Sequence, residues 1–313
     1  MSLHIVTGSD DNYVPGVLVL LASVSFHNPD ARFTVLDLGI SPENRARLDR
    51  LGDRLGARVD RVEVPMDVFD HVPVRRAHLT RGTFLRLLIP ELLPADDRVV
   101  YMDCDMVVLG DLSLLADVEL GEQLVAAVRS PGNRDNKVNA GLLVMNLPRW
   151  RAEDMGRRCL ARFVSDEKPV LNGDEATLNL MARGRIVFLP PGFNLFAFSG
   201  FYPTPAALPP DVRVVHYVVD RKPWRLRTEM DRLWWFHARR IADLLPPPRP
   251  LPLRARLSQL NRARRKAMGL WLGRRKYRAR REVARAMEQG IVEPYLARWA
   301  AAATQGAAAI SAR

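Results

Sequence analysis

Two carboxylates, one residue apart, follow an apolar run near the middle of the chain. Asp103 and Asp105 come directly after the predicted strand 98–102 and precede a second apolar run. Oxygen ligands of this kind bind Mg²⁺ or Mn²⁺, and an added imidazole favours Mn²⁺. His216, which follows the apolar strand 212–215, can supply that imidazole. The alternative is a solvated turn or a helix cap, but unpaired acids between two buried runs would be costly, which favours the metal site.

A lysine and a tryptophan follow this histidine. Lys222 can neutralise a diphosphate as a point charge, and Trp224, next to a proline, would pack and fix the loop. Taken alone, the segment could equally be a surface turn around a packed tryptophan.

Two further polar segments could bind a sugar. Asn139 lies in a small-residue segment that is expected to form a turn entering a buried strand, and its amide could bind hydroxyl groups or close that turn. Asp174 and Glu175 form a carboxylate pair at a predicted helix start. Aspartate is a favoured N-cap, so a purely structural role for Asp174 stays open.

The elements that would position these residues alternate between strands and helices. Strands are predicted at 3–7, 33–38 and 58–64, with helices between them, which predicts an α/β fold built on a largely parallel sheet. Ligands of such sheets bind beyond the carboxyl ends of strands. Asp10 and Asp103 both follow strands, so we expect them to be neighbours in space.

The positive charge of the chain is concentrated at its C-terminal end. Residues 249–313 hold 16 of the 47 Lys+Arg and 3 of the 35 Asp+Glu, a net charge of +13, so the net charge of +12 leaves −1 for the rest. A near-neutral body argues against a nucleic-acid-binding protein, which needs the charge on its binding domain. The two cysteines and the absence of a basic, apolar N-terminal leader favour a cytoplasmic protein without a signal peptide or transmembrane helix.

The predicted organisation is a catalytic domain over 1–245, a proline-rich linker over 246–253 and a basic tail over 254–313. The tail reads as an Arg-rich helical segment that is broken around Gly269 and Gly273. Its basic residues alternate with Trp, Tyr and Leu, a pattern typical of peripheral attachment to an anionic membrane surface, here the inner face of the plasma membrane. A solvated basic tail is the alternative.

The order and type of these pieces resemble glycosyltransferase family 8, especially its bacterial lipooligosaccharide and lipopolysaccharide galactosyl- and glucosyltransferases. The resemblance extends from residue 5 to residue 224. Its motifs are Asp10-Asp11-Asn12-Tyr13, Val35-Leu36-Asp37-Leu38-Gly39, Arg86, Tyr101-Met102-Asp103-Cys104-Asp105, Asn139-Ala140-Gly141, Asp174-Glu175 with Leu178-Asn179, and His216 with Lys222-Pro223-Trp224.

The resemblance implies a GT-A nucleotide-sugar-binding fold and transfer of a hexose, Gal or Glc, from a UDP-sugar to a saccharide acceptor such as an envelope glycolipid, with retention of configuration. It implies that Asp103, Asp105 and His216 bind Mn²⁺, with Mg²⁺ as the alternative. The implied nucleotide and phosphate contacts are Gly8, Asp10, Asn12, Leu79, Cys104, Ala140, Val219 and Lys222. The implied donor-sugar and catalytic residues are Arg86, Asn139, Asp174 and Glu175.

Three positions depart from the pattern of the family. Val219 occupies a usual glycine position, Glu175 stands where glutamine is common, and Ser130 stands where related galactosyltransferases carry an aspartate. A carboxylate at 175 is a more competent nucleophile than an amide. The alternatives that stay open are a UDP-sugar-binding protein with impaired catalysis and, with less support, a nucleotidyltransferase. The span 174–216 is expected to shape the acceptor side.

Overall fold

The computed structural model describes residues 3–65, 81–132, 136–165, 173–218 and 221–301. The strands are β1 (His4–Ser9), β2 (Arg32–Asp37), β3 (Val59–Glu63), β4 (Arg98–Met102), β5 (Met106–Val108), β6 (Val125–Arg129), β7 (Val138–Asn146), β8 (Ile186–Phe188), β9 (Leu195–Phe196) and β10 (Val214–His216). The α-helices are α1 (Val14–His27), α2 (Pro42–Leu55), α3 (Leu85–Leu92), α4 (Ser113–Asp117), α5 (Leu147–Ala152), α6 (Met155–Ser165), α7 (Gly173–Met181), α8 (Asp231–Arg240), α9 (Leu253–Trp271) and α10 (Arg275–Met287).

The centre of the fold is a seven-stranded sheet in the order β3-β2-β1-β4-β7-β6-β8. Strands β3, β2, β1 and β4 run parallel, as the alternation of strands and helices predicts, whereas β7 is antiparallel to both of its neighbours. Apolar cores lie on both faces, which explains why β1 and β4 read as continuous hydrophobic runs. The predicted α/β architecture is confirmed.

A small second sheet brings the histidine to the two carboxylates. It has the order β5-β10-β9, with β10 antiparallel to β5 so that His216 pairs with Met106. Beyond the strand, Tyr217 N donates to Asp105 O at 2.9 Å. The backbone therefore holds residue 216 beside residues 103–105, although they lie far apart in the chain.

Two local predictions need correction. Asn139 lies inside strand β7, not in a turn before it, because β7 begins at Val138 and pairs there with β6. Gly269 lies inside α9, where its lack of a side chain accommodates the ring of Tyr277: a Cβ there would lie 2.3 Å from Cδ2. The chain breaks instead at Gly273, whose φ of +65° favours glycine.

The C-terminal helices pack against the body. Val283, Met287 and Val292 are buried in the same core as α1 and α8. A final helix over residues 293–301 carries Tyr295, whose hydroxyl lies 2.8 Å from His27 Nε2 and 3.0 Å from His237 Nε2. These contacts tie the last described turns of the chain to α1 and α8. No described helix is both long enough and apolar enough to span a membrane.

Candidate active site

The carboxylates and the histidine converge at the end of β4. Ligand atoms of Asp103, Asp105 and His216 lie within 4.8 Å of one another. His216 Nε2 lies 3.1 Å from Asp105 Oδ1 and 3.6 Å from Asp103 Oδ2. Two carboxylate oxygens and one imidazole nitrogen thus face a common point, which is a donor set suited to Mn²⁺.

A buried carboxylate oxygen tests whether this cluster fits a metal ion. Asp105 is 7% exposed, and its Oδ1 makes no hydrogen bond within the described residues, despite lying close to His216. A buried charged oxygen of this kind is costly unless a cation or donor satisfies it. Asp103 and His216 supply the other ligands, so the residues fit a divalent ion.

The hydrogen bonds around His216 decide which of its nitrogens faces the carboxylates. Gly141 N donates to Asn139 Oδ1 at 3.0 Å, and because a backbone N–H can only donate, this bond fixes the orientation of the Asn139 amide. Asn194 Nδ2 donates to the same oxygen at 2.9 Å, which turns Asn194 Oδ1 toward His216 Nδ1 at 3.0 Å. An amide oxygen only accepts, so Nδ1 donates to Asn194 Oδ1, and Nε2 is the nitrogen that faces Asp103 and Asp105.

The other end of this network reaches the carboxylate at position 175. Asn139 Nδ2 donates to Glu175 Oε2 at 2.7 Å. Asn179 Nδ2 donates to Glu175 O and to Val138 O, both at 2.8 Å, and holds α7 against β7. The side chain of Glu175 is therefore connected to His216 through two asparagines.

A glycine makes this close approach possible. A Cβ at Gly141 would lie 2.4 Å from His216 Cε1, 2.8 Å from Asn139 Oδ1 and 2.9 Å from Asp103 Oδ2. Gly141 O also accepts a 2.7 Å hydrogen bond from Asp103 N. The glycine in Asn139-Ala140-Gly141 thus serves the packing of the site.

Two cations border the carboxylates. Lys222 is buried, and its Nζ donates to Asp105 Oδ2 and, at 2.8 Å, to Tyr217 O. Burial acts to lower the pKa of Lys222, but Asp105 outweighs burial and raises it, so the ammonium stays charged. Burial likewise acts to raise the pKa of Asp105, but Lys222 and His216 hold it below its ordinary value.

The second cation is Arg86 on α3. Its Nη2 lies 3.0 Å from Asp103 Oδ1, and its Nη1 donates to Ala140 O. Tyr101 adds a hydroxyl that donates to Asp103 Oδ1 at 2.7 Å. Asp103 is therefore oriented from two sides before any metal binds.

A cavity of about 130 Å³ opens beside the carboxylates. The predicted site residues that line it are Gly8, Asp10, Arg86, Asp103, Cys104, Asp105 and Lys222. Burial raises the pKa of the Cys104 thiol well above its ordinary value, so this cysteine lines the cavity in its neutral form.

Other predicted residues lie elsewhere. Asn12 is exposed, and its side-chain oxygen accepts from Arg249 of the proline-rich segment. Asn139 and Ala140 belong to the hydrogen-bond network around Asp103 and His216. Leu79 and Val219 lie outside the described residues, and so does the side chain of Asp174 at the start of α7.

Asn194 belongs to the site, although no pattern in the sequence predicted this role. This residue is 2% exposed and belongs to a short 3-10 helix, Pro191–Asn194, which was expected to shape the acceptor side. A polar residue between Phe193 and Leu195 at a strand start is a weak signal, and only the tertiary contact with His216 reveals its role.

Comparison with known proteins identifies the family of this chain. The sequence profile of glycosyl transferase family 8 matches residues 4–228. The chain belongs to glycosyl transferase family 8. Its relatives include general stress protein A of Bacillus subtilis, 26% identical over 72% of this chain and 89% of the relative. Another is the lipopolysaccharide 1,3-galactosyltransferase of Salmonella typhimurium, 24% identical over 71% of this chain and 72% of that protein.

Solved structures of glycosyltransferases share this fold. The galactosyltransferase LgtC, crystallised with donor and acceptor sugar analogues, aligns with a TM-score of 0.66 and 26% identity over 81% of this chain and 99% of its own. GlyE of Streptococcus pneumoniae aligns with a TM-score of 0.63 and 22% identity over 80% of this chain and 66% of its own. The family 8 chain has the GT-A fold and is a glycosyltransferase.

Proposed function

We propose that this family 8 enzyme transfers a hexose, Gal or Glc, from a UDP-sugar to a saccharide acceptor with retention of configuration. The observation that carries the proposal is the convergence of Asp103, Asp105 and His216, with both carboxylates lining a cavity of about 130 Å³. The named galactosyltransferase activity of the Salmonella relative and the sugar analogues bound to LgtC support a hexose donor and a saccharide acceptor.

Asp103, Asp105 and His216 would hold Mn²⁺, with Mg²⁺ as the alternative ion. When bound, the ion supplies Lewis acidity that offsets charge on the departing diphosphate. Lys222 places a second, permanently charged group on the same side, since its ammonium lines the cavity. Arg86 and Tyr101 both contact Asp103, so they fix the position of this proposed ligand before the ion binds.

Glu175 is our candidate for the group nearest the anomeric carbon. Asp174 is our candidate for a second contact with the donor sugar. The amide of Asn139 holds the Glu175 carboxylate in one orientation. A carboxylate there could form a covalent glycosyl intermediate, in which one oxygen bonds to the anomeric carbon as the bond to the UDP oxygen breaks. Incubation with a fluorinated donor followed by mass spectrometry tests this step, and an unlabelled Glu175 would exclude it. Gly8, Asp10, Asn12, Leu79, Cys104, Ala140 and Val219 are proposed contacts of the nucleotide and phosphates.

The principal test is UDP release from UDP-Gal and UDP-Glc, with Mn²⁺ or with EDTA. We expect Mn²⁺-dependent release that falls at least about 100-fold in Asp105→Asn, since Lewis-acid stabilisation is worth several kcal/mol. Asp117→Asn is the matched control, because Asp117 is an exposed carboxylate beyond the site. Tight metal-dependent UDP binding without turnover, with or without acceptor sugars, would instead favour a binding protein with impaired catalysis.

We also propose that α9 attaches the enzyme to an anionic membrane that carries the acceptor glycolipid. One side of α9 exposes Leu253, Leu257, Leu260, Met268 and Trp271. Trp271 is 85% exposed and Leu253 71%, and their spacing places these residues in one stripe along the helix. Arginines border the stripe, so the surface combines an apolar face with positive charge, as interfacial helices do.

A further inference from the structure

A second and larger cavity lies between the α9–α10 hairpin and the catalytic domain. Its volume is about 650 Å³, compared with about 130 Å³ for the cavity at the carboxylates. One wall comes from α9 and α10, and the other from segments 198–199 and 221–229. The cations that line it are Arg221, Arg227, Arg262, Arg265, Lys266 and Arg280.

The carboxylate that lines this cavity is already engaged. Glu229 Oε2 accepts from Ser199 N at 2.6 Å, and its Oε1 accepts from Ser199 Oγ at 3.1 Å. Among the described residues, no ion pair involves Arg227, Lys266 or Arg280. Like charges that face one concave surface repel each other, and a bound anion removes that repulsion.

The cavity is joined to the metal-ligand cluster by adjacent residues. Arg221 lines the large cavity, and the next residue, Lys222, donates to Asp105. An aromatic row makes a second connection: the ring of Phe198 lies 5.7 Å from Phe201, which lies 5.0 Å from Phe196. Phe196 in turn packs 5.8 Å from the ring of His216. Both connections link the lining of this cavity to the metal-ligand cluster.

The helix that covers the cavity has two different sides. Gln259, Arg262, Ala263 and Lys266 line the cavity with the spacing of one helix face. The exposed apolar stripe lies on roughly the opposite side of α9. A molecule anchored in a membrane against the stripe would reach the cavity around the edge of this helix.

We infer that this cavity binds a phosphate group carried by the acceptor, which is then an anionic amphiphile with a sugar hydroxyl near the metal cluster. The inference rests on the proposed transferase function and adds the chemical class of the acceptor. Arginine and lysine side chains suit a phosphate because they supply several charge-assisted hydrogen bonds.

Calorimetric titration of the full chain, with the donor site saturated by UDP and Mn²⁺, tests this inference. The probe is dihexanoyl phosphatidic acid below its micelle concentration, and inorganic phosphate is the second arm. We expect saturable binding of the phosphatidic acid that weakens at least about tenfold in the double variant Arg227→Gln, Lys266→Gln. The matched control is Arg256→Gln, Arg264→Gln, which removes two charges from α9 outside the cavity lining.

Each outcome of the titration either supports or contradicts the inference. Binding that the control variant retains and the cavity variant loses supports the inference. Absence of saturable binding, or equal loss in both variants, overturns it, and equal affinity for inorganic phosphate overturns the link to an acceptor. UDP release from UDP-Gal and UDP-Glc is measured separately on the same protein preparations, without added UDP. Normal release without probe binding contradicts the cavity alone, whereas probe binding without release of UDP from any donor contradicts the transferase alone.

Discussion

Asn194 Oδ1 lies 3.0 Å from Nδ1 of His216, and this contact determines the face that the histidine offers to a metal ion. The orientation of Asn194 follows from Asn139, and that of Asn139 from the backbone N–H of Gly141. The orientation of the His216 ring thus depends on a chain of hydrogen bonds that begins at the main chain of β7. Partners of this kind raise the basicity of a ligand and hold its ring in place.

Asn194→Ala should weaken metal binding without unfolding the protein. Loss of a hydrogen-bonded partner of a metal ligand typically lowers metal affinity about 10–100-fold, so the Mn²⁺ concentration for half-maximal UDP release should rise by that factor. Asn261→Ala, on the exposed surface of α9, is the control. An unchanged Mn²⁺ requirement in Asn194→Ala would show that the contact does not orient His216.

Gly141→Ala should disrupt the site more severely than its size suggests. The added methyl group would meet His216 Cε1 at 2.4 Å and Asp103 Oδ2 at 2.9 Å, so the ligands must separate. We expect loss of Mn²⁺-dependent UDP release by at least about 100-fold. Gly290→Ala is the matched control, because nothing lies within 4 Å of a Cβ at that position. Normal release from Gly141→Ala would contradict the described packing.

These results show which parts of the site could be predicted from the sequence. Asp103 and Asp105 were identifiable because an apolar strand leads directly into them, and strand ends bind ligands in such sheets. Asn194 was not identifiable, since its role depends on a contact with His216 across two strands. Asn139 was placed in a turn because small residues favour turns, but pairing with β6 extends β7 through it.

The packing of the C-terminal segment could not be predicted for the same reason. Its charge and aromatic content are local properties and were visible in the sequence. Its packing depends on contacts such as His27 with Tyr295, which are 268 residues apart, and no local pattern predicts these.

Protonation of His237 should destabilise the protein in mild acid. Burial lowers the pKa of His237 to about 3, with further lowering from His27 and Arg240, and its Nδ1 makes no hydrogen bond within the described residues. The unfolded chain takes up this proton near pH 6.5 and the folded chain does not, so stability is full above pH 6.5 and falls as the pH drops.

Urea unfolding of wild type and His237→Phe at pH 7.0 and pH 5.0 measures this effect. Between pH 7.0 and pH 5.0 the wild type should lose about 2 kcal/mol more stability than the variant, because the unfolded chain takes up one proton at His237 as the pH falls through about 6.5. His27, whose pKa burial lowers to about 4, is present in both proteins, so its own proton uptake contributes to both pH profiles. An equal loss of stability in wild type and His237→Phe would show that another group causes the pH dependence.

Replacing the apolar stripe of α9 should release the enzyme from anionic vesicles. The double variant Leu257→Ser, Trp271→Ser is expected to bind vesicles of phosphatidylglycerol at least about tenfold more weakly, because it loses buried apolar area at the interface. Leu114→Ser, Trp235→Ser changes two other exposed residues of the same types and serves as the control. Donor hydrolysis should persist in both variants, and equal vesicle binding would assign attachment to another surface.

The contacts of Tyr295 also bear on how such an enzyme would sit on a membrane. Its hydroxyl joins His27 and His237, and Trp299 packs 4.6 Å from the ring of Phe26, so the last helix is fastened to the body. Truncation after residue 245 would remove helical segments that pack on α1 and α8, and not a segment that is independent of the body. Because the α9–α10 hairpin packs against the body, attachment of α9 to a membrane would also fix the orientation of the active site relative to that membrane. An acceptor hydroxyl at a different height above the lipid would then not reach the active site.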